Sequence, residues 1–182
     1  MYRIVNISAT FQTKSPLDLS YLKSVVQEAK YNPKVFSGFI KRFLDDKFTA
    51  TMFQNGYVVL TGTTSLLRTN IAARKVKNFL NMFNIDVEIH ELNIQNMVGS
   101  GGIGHAINLE NLYSAMRRDI FGLNTLPSLE PELFPGLICR FKEKSWSTTI
   151  FRSGKYIITG CKEENDILFI ENCIRDYIVA IE

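Results

Sequence analysis

At 182 residues, with 46% apolar and 21% charged, the chain can bury one good-sized core or two small ones, and it reads as globular. It has no long uncharged apolar run, its start MYRIVNISAT lacks the basic-then-apolar pattern of a secretory signal, and its three widely spaced cysteines (Cys139, Cys161, Cys173) form no CxxC pair; a membrane partner, a secretory route and a structural zinc are therefore not expected, and a reducing compartment is. The net charge of +3 is unevenly shared: residues 1–90 carry 12 Lys/Arg against 6 Asp/Glu, and residues 91–182 carry 9 against 12. A basic half suits a polyanion and an acidic half a basic protein, or the two halves have simply drifted apart in charge.

Residues 2–11 alternate well enough for a strand. After Pro16 and Asp18, the stretch LSYLKSVVQEAKY places Leu19, Leu22, Val25, Val26 and Ala29 on one helical face, and Asn32-Pro33 ends it. A strand is predicted over 35–43, a turn at Asp45-Asp46, and a hairpin from 48–53 and 57–61 about Gln54-Asn55-Gly56, because Asn-Gly is the strongest short hairpin signal. In SLLRTNIAARKVKNFLNMFN, the spacing of Leu67, Ile71, Val76, Phe79, Leu80 and Phe83 predicts a long amphipathic helix that turns Arg68, Arg74, Lys75 and Lys77 outward. The pattern then begins again. A strand is expected over 87–98, a glycine turn at Gly99-Ser100-Gly101-Gly102, a short helix over 109–120 and an extra loop over 121–127; strands over 131–160 and a last helix over 165–180 follow.

That recurrence is a duplication. Residues 33–62 return 98 positions later as residues 131–160, sharing without a gap Pro33/Pro131, Phe36/Phe134, Gly38/Gly136, Ile40/Ile138, Arg42/Arg140, Phe43/Phe141, Thr51/Thr149, Phe53/Phe151, Gly56/Gly154, Thr61/Thr159 and Gly62/Gly160. Strand-rich segments match by chance at apolar positions, but rarely at Gly, Pro, Arg and Thr in one register. Two copies imply internal pseudo-twofold symmetry rather than a solenoid, which needs three or more repeats. The expected domains are residues 1–86 and 87–182, each an α+β unit with helices on one face of an antiparallel sheet.

Chemistry of an enzymatic kind is not visible. His90 and His105 have no cysteine at ligand spacing, whereas zinc needs about four converging ligands. The glycines from Gly99 to Gly104 superficially resemble a phosphate cradle, but lack a βαβ context and a Walker lysine, so turn formation is the better reading. No catalytic constellation and no cofactor are expected. The hairpins are more informative. One face carries Thr49, Thr51, Phe53, Tyr57, Val59 and Thr61, repeated as Ser147, Thr149, Phe151, Lys155, Ile157 and Thr159; the other carries Met52, Val58 and Leu60, repeated as Ile150, Tyr156 and Ile158. A sheet apolar or uncharged on both sides needs something on its second side: another protein layer, a homodimer partner or a minor groove.

The segments YNPKVFSGFIKR, TATMFQNGYVVLTG and AARKVKNFL, then IQNMVGS, then EPELFPGLICR and TTIFRSGKYIITGCK, resemble the TATA-box-binding protein core over nearly the whole chain. The resemblance implies a pseudosymmetric saddle of two repeats, a curved antiparallel sheet with helices on its convex face. It also implies binding and bending of double-stranded A·T-rich promoter DNA through the minor groove, to nucleate transcription initiation, as this family is known to kink DNA. Under it, Phe36 with Phe53 and Phe134 with Phe151 are intercalating wedges. Asn6, Asn96, Thr61, Thr159, Val59, Val98 and Ile157 meet base edges, and Arg42, Arg140, Lys155 and Lys162 neutralise phosphates, with Arg74, Lys75 and Lys77 as further candidates. Glu130, Glu132 and Leu133 match residues that meet a transcription factor IIB-like protein, and other general transcription factors are implied as partners. The implied location is the nucleus, or a cytoplasmic viral replication compartment for a virally encoded member.

The chain also departs from that family. Thr51 and Thr149 stand where leucine is usual, Ser8 where valine is usual, Tyr57 and Thr64 in place of lysines, and Val35 in place of an arginine. The first turn, residues 44–47, lacks Glu-Pro and gains acid, Lys142 to Trp146 has changed, and extra residues lie around 117–126. Fewer phosphate contacts imply weaker binding or altered preference. The competing expectation is a saddle-shaped interaction module, associated with transcription, whose DNA binding is weak or lost.

Overall fold

The computed structural model describes residues 1–182 except Asp86, Glu88 and His90. The chain folds as two compact units, one of Asn6–Gln95 and one of Met1–Val5 with Asn96–Glu182. The first contains most of β1 (Arg3–Gln12), then α1 (Leu19–Val25), β2 (Lys30–Asn32), β3 (Phe36–Phe43), β4 (Phe48–Met52), β5 (Tyr57–Thr63) and α2 (Leu66–Asn81). Its strands follow the order β2-β3-β4-β5-β1, every pair antiparallel. The second contains most of β6 (Asn93–Gly102), then α3 (Leu109–Arg117), β7 (Thr125–Ser128), β8 (Gly136–Phe141), β9 (Ser147–Phe151), β10 (Lys155–Cys161) and α4 (Glu164–Val179), with strand order β6-β10-β9-β8-β7. The same path is thus drawn twice. No helix among the described residues is long and apolar enough to cross a membrane.

In each unit the helices lie on one face of the sheet, because alternation concentrates the apolar side chains there. Ile7, Ala9, Phe11, Phe39, Ala50, Met52, Val58 and Leu60 are buried in the first unit, and Met97, Leu137, Ile150, Tyr156 and Ile158 in the second. Helix α2 starts at Ser65, whose Oγ accepts the Arg68 N–H, and buries Thr69, Ala72, Ala73, Val76 and Leu80. Leu67 and Ile71, expected on that stripe, are instead exposed. The smaller Thr69 and Ala72 let the helix start close against the sheet, and the Thr63 and Thr69 hydroxyls bond at 2.7 Å beneath it. Helix α4 buries Ile167, Ile170, Ile174, Tyr177 and Ile178, together with Glu171. Cys139, Cys161 and Cys173 are buried free thiols. Burial in apolar surroundings raises all three, Cys161 to about 12 and Cys173 to about 11.

Several elements differ from expectation. The first helix stops at Val25, because the chain turns extended at Val26 and residues 30–32 pair with the open edge of β3. The expected loop over 121–127 yields edge strand β7, which does the same for β8; Pro127 is tolerated there because an edge strand needs no second ladder donor. Asp119 organises the approach to it by accepting the N–H groups of Leu123 at 2.8 Å and Asn124 at 3.0 Å. The glycines expected as a turn, Gly99, Gly101 and Gly102, belong to strand β6. Close approach rather than turning selects two of them: a Cβ at Gly101 would run into the Tyr156 phenol, and one at Gly99 would lie 2.7 Å from Ile167 Cγ2. The strand expected over 87–98 is observed from Asn93; Glu88 and His90 lie outside the described residues, and Val87 is buried in the core of the first unit.

Candidate nucleic-acid interface

The face of each sheet opposite its helices carries the other half of the alternation. In the first unit it holds Asn6, Ser8, Ile40, Thr49, Thr51, Phe53, Val59 and Thr61, all half-buried, with Phe36, Arg42 and Tyr57 exposed. In the second it holds Asn96, Val98, Ile138, Ser147, Thr149, Phe151 and Thr159, half-buried, with Phe134, Arg140, Lys155 and Ile157 exposed. The middle of each face is therefore uncharged, and the cations stand toward its margins.

Both phenylalanine pairs lie on these open faces and not beneath the helices. The rings of Phe36 and Phe53 are 5.9 Å apart, those of Phe134 and Phe151 6.0 Å, and Phe36 and Phe134 remain 46% and 38% exposed. Phe53 and Phe151 sit at the heads of tight turns closed by Gly56 N–H to the Phe53 carbonyl and Gly154 N–H to the Phe151 carbonyl, each 2.9 Å. Their partners rest on glycine. A Cβ at Gly38 would lie 2.5 Å from the Phe36 ring, and one at Gly136 2.8 Å from the Phe134 ring. Thr51 and Thr149 line these seats through their methyl groups. The repeat makes these glycines conspicuous in the sequence, but their use as ring seats depends on side-chain placement that the sequence does not display.

The central asparagines are held by a second pair of glycines. The ladder between β1 and β5 slips by one residue at Gly62, and that between β6 and β10 slips at the Thr159–Gly160 step, so each forms a β-bulge. The N–H that the bulge releases is captured by the neighbouring carboxamide: Gly62 donates to Asn6 Oδ1 and Gly160 to Asn96 Oδ1, both at 2.8 Å. With the oxygen occupied, the Nδ2 amide is the group left to face outward. Gly62 and Gly160 have φ of +101° and +83°, and a Cβ at either would strike the preceding turn, at Lys47 or Ser145. The same arrangement recurs in each unit, where it fixes one amide among hydroxyls and branched apolar groups.

Among the described residues, Arg42, Arg140, Lys155 and Lys162 make no ion pair. Lys75 does, to Asp46 of the acid turn after β3; it and Arg74 and Lys77 lie on α2, on the helical side of the sheet and away from the open face. Glu130, Glu132 and Leu133 are exposed in the bend before β8, where Leu133 is 81% accessible. No group of three or more His, Cys, Asp or Glu gathers among the described residues to hold a metal.

Two copies of one α+β unit, each leaving one face of its sheet clear of its own helices, uncharged in the middle and carrying a seated aromatic pair, define a duplicated α+β protein. The chain belongs to the TATA-binding protein family: the model of the family described as "Transcription factor TFIID (or TATA-binding protein, TBP)" matches residues 1–83 and 91–176. It is 34% identical over 164 residues to TATA-box-binding protein 2 of Entamoeba histolytica, covering 90% of this chain and 74% of that protein, and 38% identical over 162 residues to the TATA-box-binding protein of Candida albicans, covering 89% and 65%. Its structure is similar to that of Methanococcus jannaschii TBP, with TM-score 0.83, 32% identity and 98% of both chains covered. The fold class expected from the duplicated segments is that of the family.

Proposed function

We propose that the chain binds A·T-rich promoter DNA through the minor groove and bends it, serving transcription initiation as an architectural protein and not as an enzyme. Each open face reads one half of the element. Asn6 and Asn96 donate Nδ2–H to adenine N3 or thymine O2, Thr61 and Thr159 add hydroxyls, and Val59, Val98 and Ile157 lie against sugars, where a guanine amino group would find no partner. Each phenylalanine pair opens one base step, at a cost of a few kcal/mol that flexible pyrimidine–purine steps lessen and the buried groove surface offsets. Arg42, Arg140, Lys155 and Lys162 neutralise phosphates along the margins. Glu130, Glu132 and Leu133 offer an exposed acidic and apolar surface to a transcription factor IIB-like partner.

The observation that carries this reading is the exposed pairing of Phe36 with Phe53 and Phe134 with Phe151, each seated on a glycine and facing away from the core. Titration of a fluorescent A·T-rich duplex at fixed salt, with end-to-end energy transfer to report bending, tests it. The expected result is saturable binding with bending, both reduced at least about tenfold by Phe134→Ala with Phe151→Ala. Tight binding indifferent to the double substitution would rule out the wedges. Absence of binding at low salt would favour an interaction module acting through the helical side, where Leu66, Leu67 and Ile71 of α2 are exposed.

A further inference from the structure

The two open faces differ in the middle. Two residues after Asn6 comes Ser8, whereas two residues after Asn96 comes Val98, and all four are half-buried. Both asparagines fix Oδ1 on a bulge glycine, but among the described residues only Asn6 has a neighbour for its amide: Nδ2 donates to Ser8 Oγ at 3.4 Å. Ser8 lies opposite Thr61 and Thr61 opposite Thr49, so three hydroxyls form a row across β1, β5 and β4. The corresponding row in the second unit is Val98, Thr159 and Ser147, in which the first place offers no polar atom.

A hydroxyl has one donor and two lone pairs, and accepting from Asn6 occupies one of them. The other can accept from the guanine 2-amino group, which is the donor that separates G·C from A·T in the minor groove. Valine in that place covers the amino group and leaves it without a partner. We propose that Ser8 makes the half of the element read by the first repeat tolerant of a single G·C pair at the step against the Asn6–Ser8–Thr61 row, while the half read by Val98 admits only A·T. The inference rests on the minor-groove reading above and adds a polarity to its sequence preference.

Because the chain can turn end for end on a symmetric element, the test uses substitutions in one half and in both. Affinity is measured for an all-A·T duplex, for duplexes with one G·C pair stepped through one half, and for duplexes with mirrored G·C pairs in both halves. Each protein's loss is read against its own affinity for the all-A·T duplex. At the critical position one G·C pair is expected to cost the unaltered chain less than about threefold, and mirrored pairs at least about tenfold. Inosine in place of both guanines, which lacks the amino group, should remove most of the mirrored loss. Ser8→Val should make a single pair cost at least about tenfold, and Val98→Ser should bring the mirrored duplex within about threefold. The proposal is overturned if Ser8→Val leaves the single-pair cost unchanged, or if no position distinguishes mirrored from single substitution. Failure of the unaltered chain to bind the all-A·T duplex overturns the minor-groove reading as well, and is separately visible.

Discussion

Asn96 meets two demands with two different atoms, which lets them be tested separately. Its Oδ1 holds the Gly160 N–H, and its Nδ2 is the donor offered to a ligand. Asn96→Asp retains an acceptor for the glycine but removes both amide hydrogens and adds charge; thermal unfolding is expected to move little, while A·T-duplex affinity falls at least about tenfold. Equal losses of stability and binding would mean that the residue is only a brace for the bulge. Gly38 permits a similar separation. In Gly38→Ala the new methyl meets the Phe36 ring and the Thr51 methyl, so the ring must swing off its seat. The expected outcome is a folded protein whose binding persists but whose bend angle, measured by energy transfer, is smaller. The repeated sequence made both glycine pairs conspicuous, yet their roles as ring seat and amide donor were not legible, because both depend on the distance between strands that are remote in sequence.

At the level of elements, periodicity placed the hairpin strands and the long helices and failed at the edges. The buried trio Met52, Val58 and Leu60 stands opposite Thr51, Val59 and Thr61 as alternation predicts. Strands β2 and β7 leave no periodic signal, because a three- or four-residue edge strand has too few positions to show a period; it exists where a neighbour's backbone groups need partners. Helix α4 contains a polar element that no pattern announced. Glu171, 4% exposed, accepts from Tyr156 and Arg175, with the Met1 amino nitrogen 3.2 Å away. Burial pushes its carboxyl up, but these donors outweigh burial and bring it down to about 2, while burial and the Glu171 contact push the Tyr156 phenol well above its usual range. A carboxyl depressed in the folded state stabilises fully above its ordinary value near 4.5 and loses that contribution as pH falls toward 2. Glu171→Gln should therefore lower the melting temperature at neutral pH and flatten its fall between about pH 4.5 and 2, as read by thermal scans across that range.

For the molecule as a whole, charge is the property most directly open to measurement. The basic excess in residues 1–90 and the acidic excess in residues 91–182 were legible from composition, but not the side of each sheet on which the charges stand. The structure places Arg42 and Arg140 in equivalent positions on the open faces, opposite Thr49 and Ser147, and ties Lys75 to Asp46 on the helical side. Replacing Arg42 and Arg140 together with alanine should reduce the slope of log affinity against log salt by about 2, whereas replacing Arg74 and Lys77 should leave it nearly unchanged. An equal effect from both pairs would mean that the duplex does not lie on the open faces.

Cys139, Cys161 and Cys173 all fall within the unit of Asn96–Glu182, buried and held in the protonated form. A protonated, enclosed sulfur is a poor nucleophile, so a maleimide at neutral pH should modify the native chain only as fast as that unit opens. The molecule thus carries an intrinsic clock for the breathing of one of its two halves, and the rate at which a ligand slows alkylation would report how firmly that half is clasped, with no label added to the other.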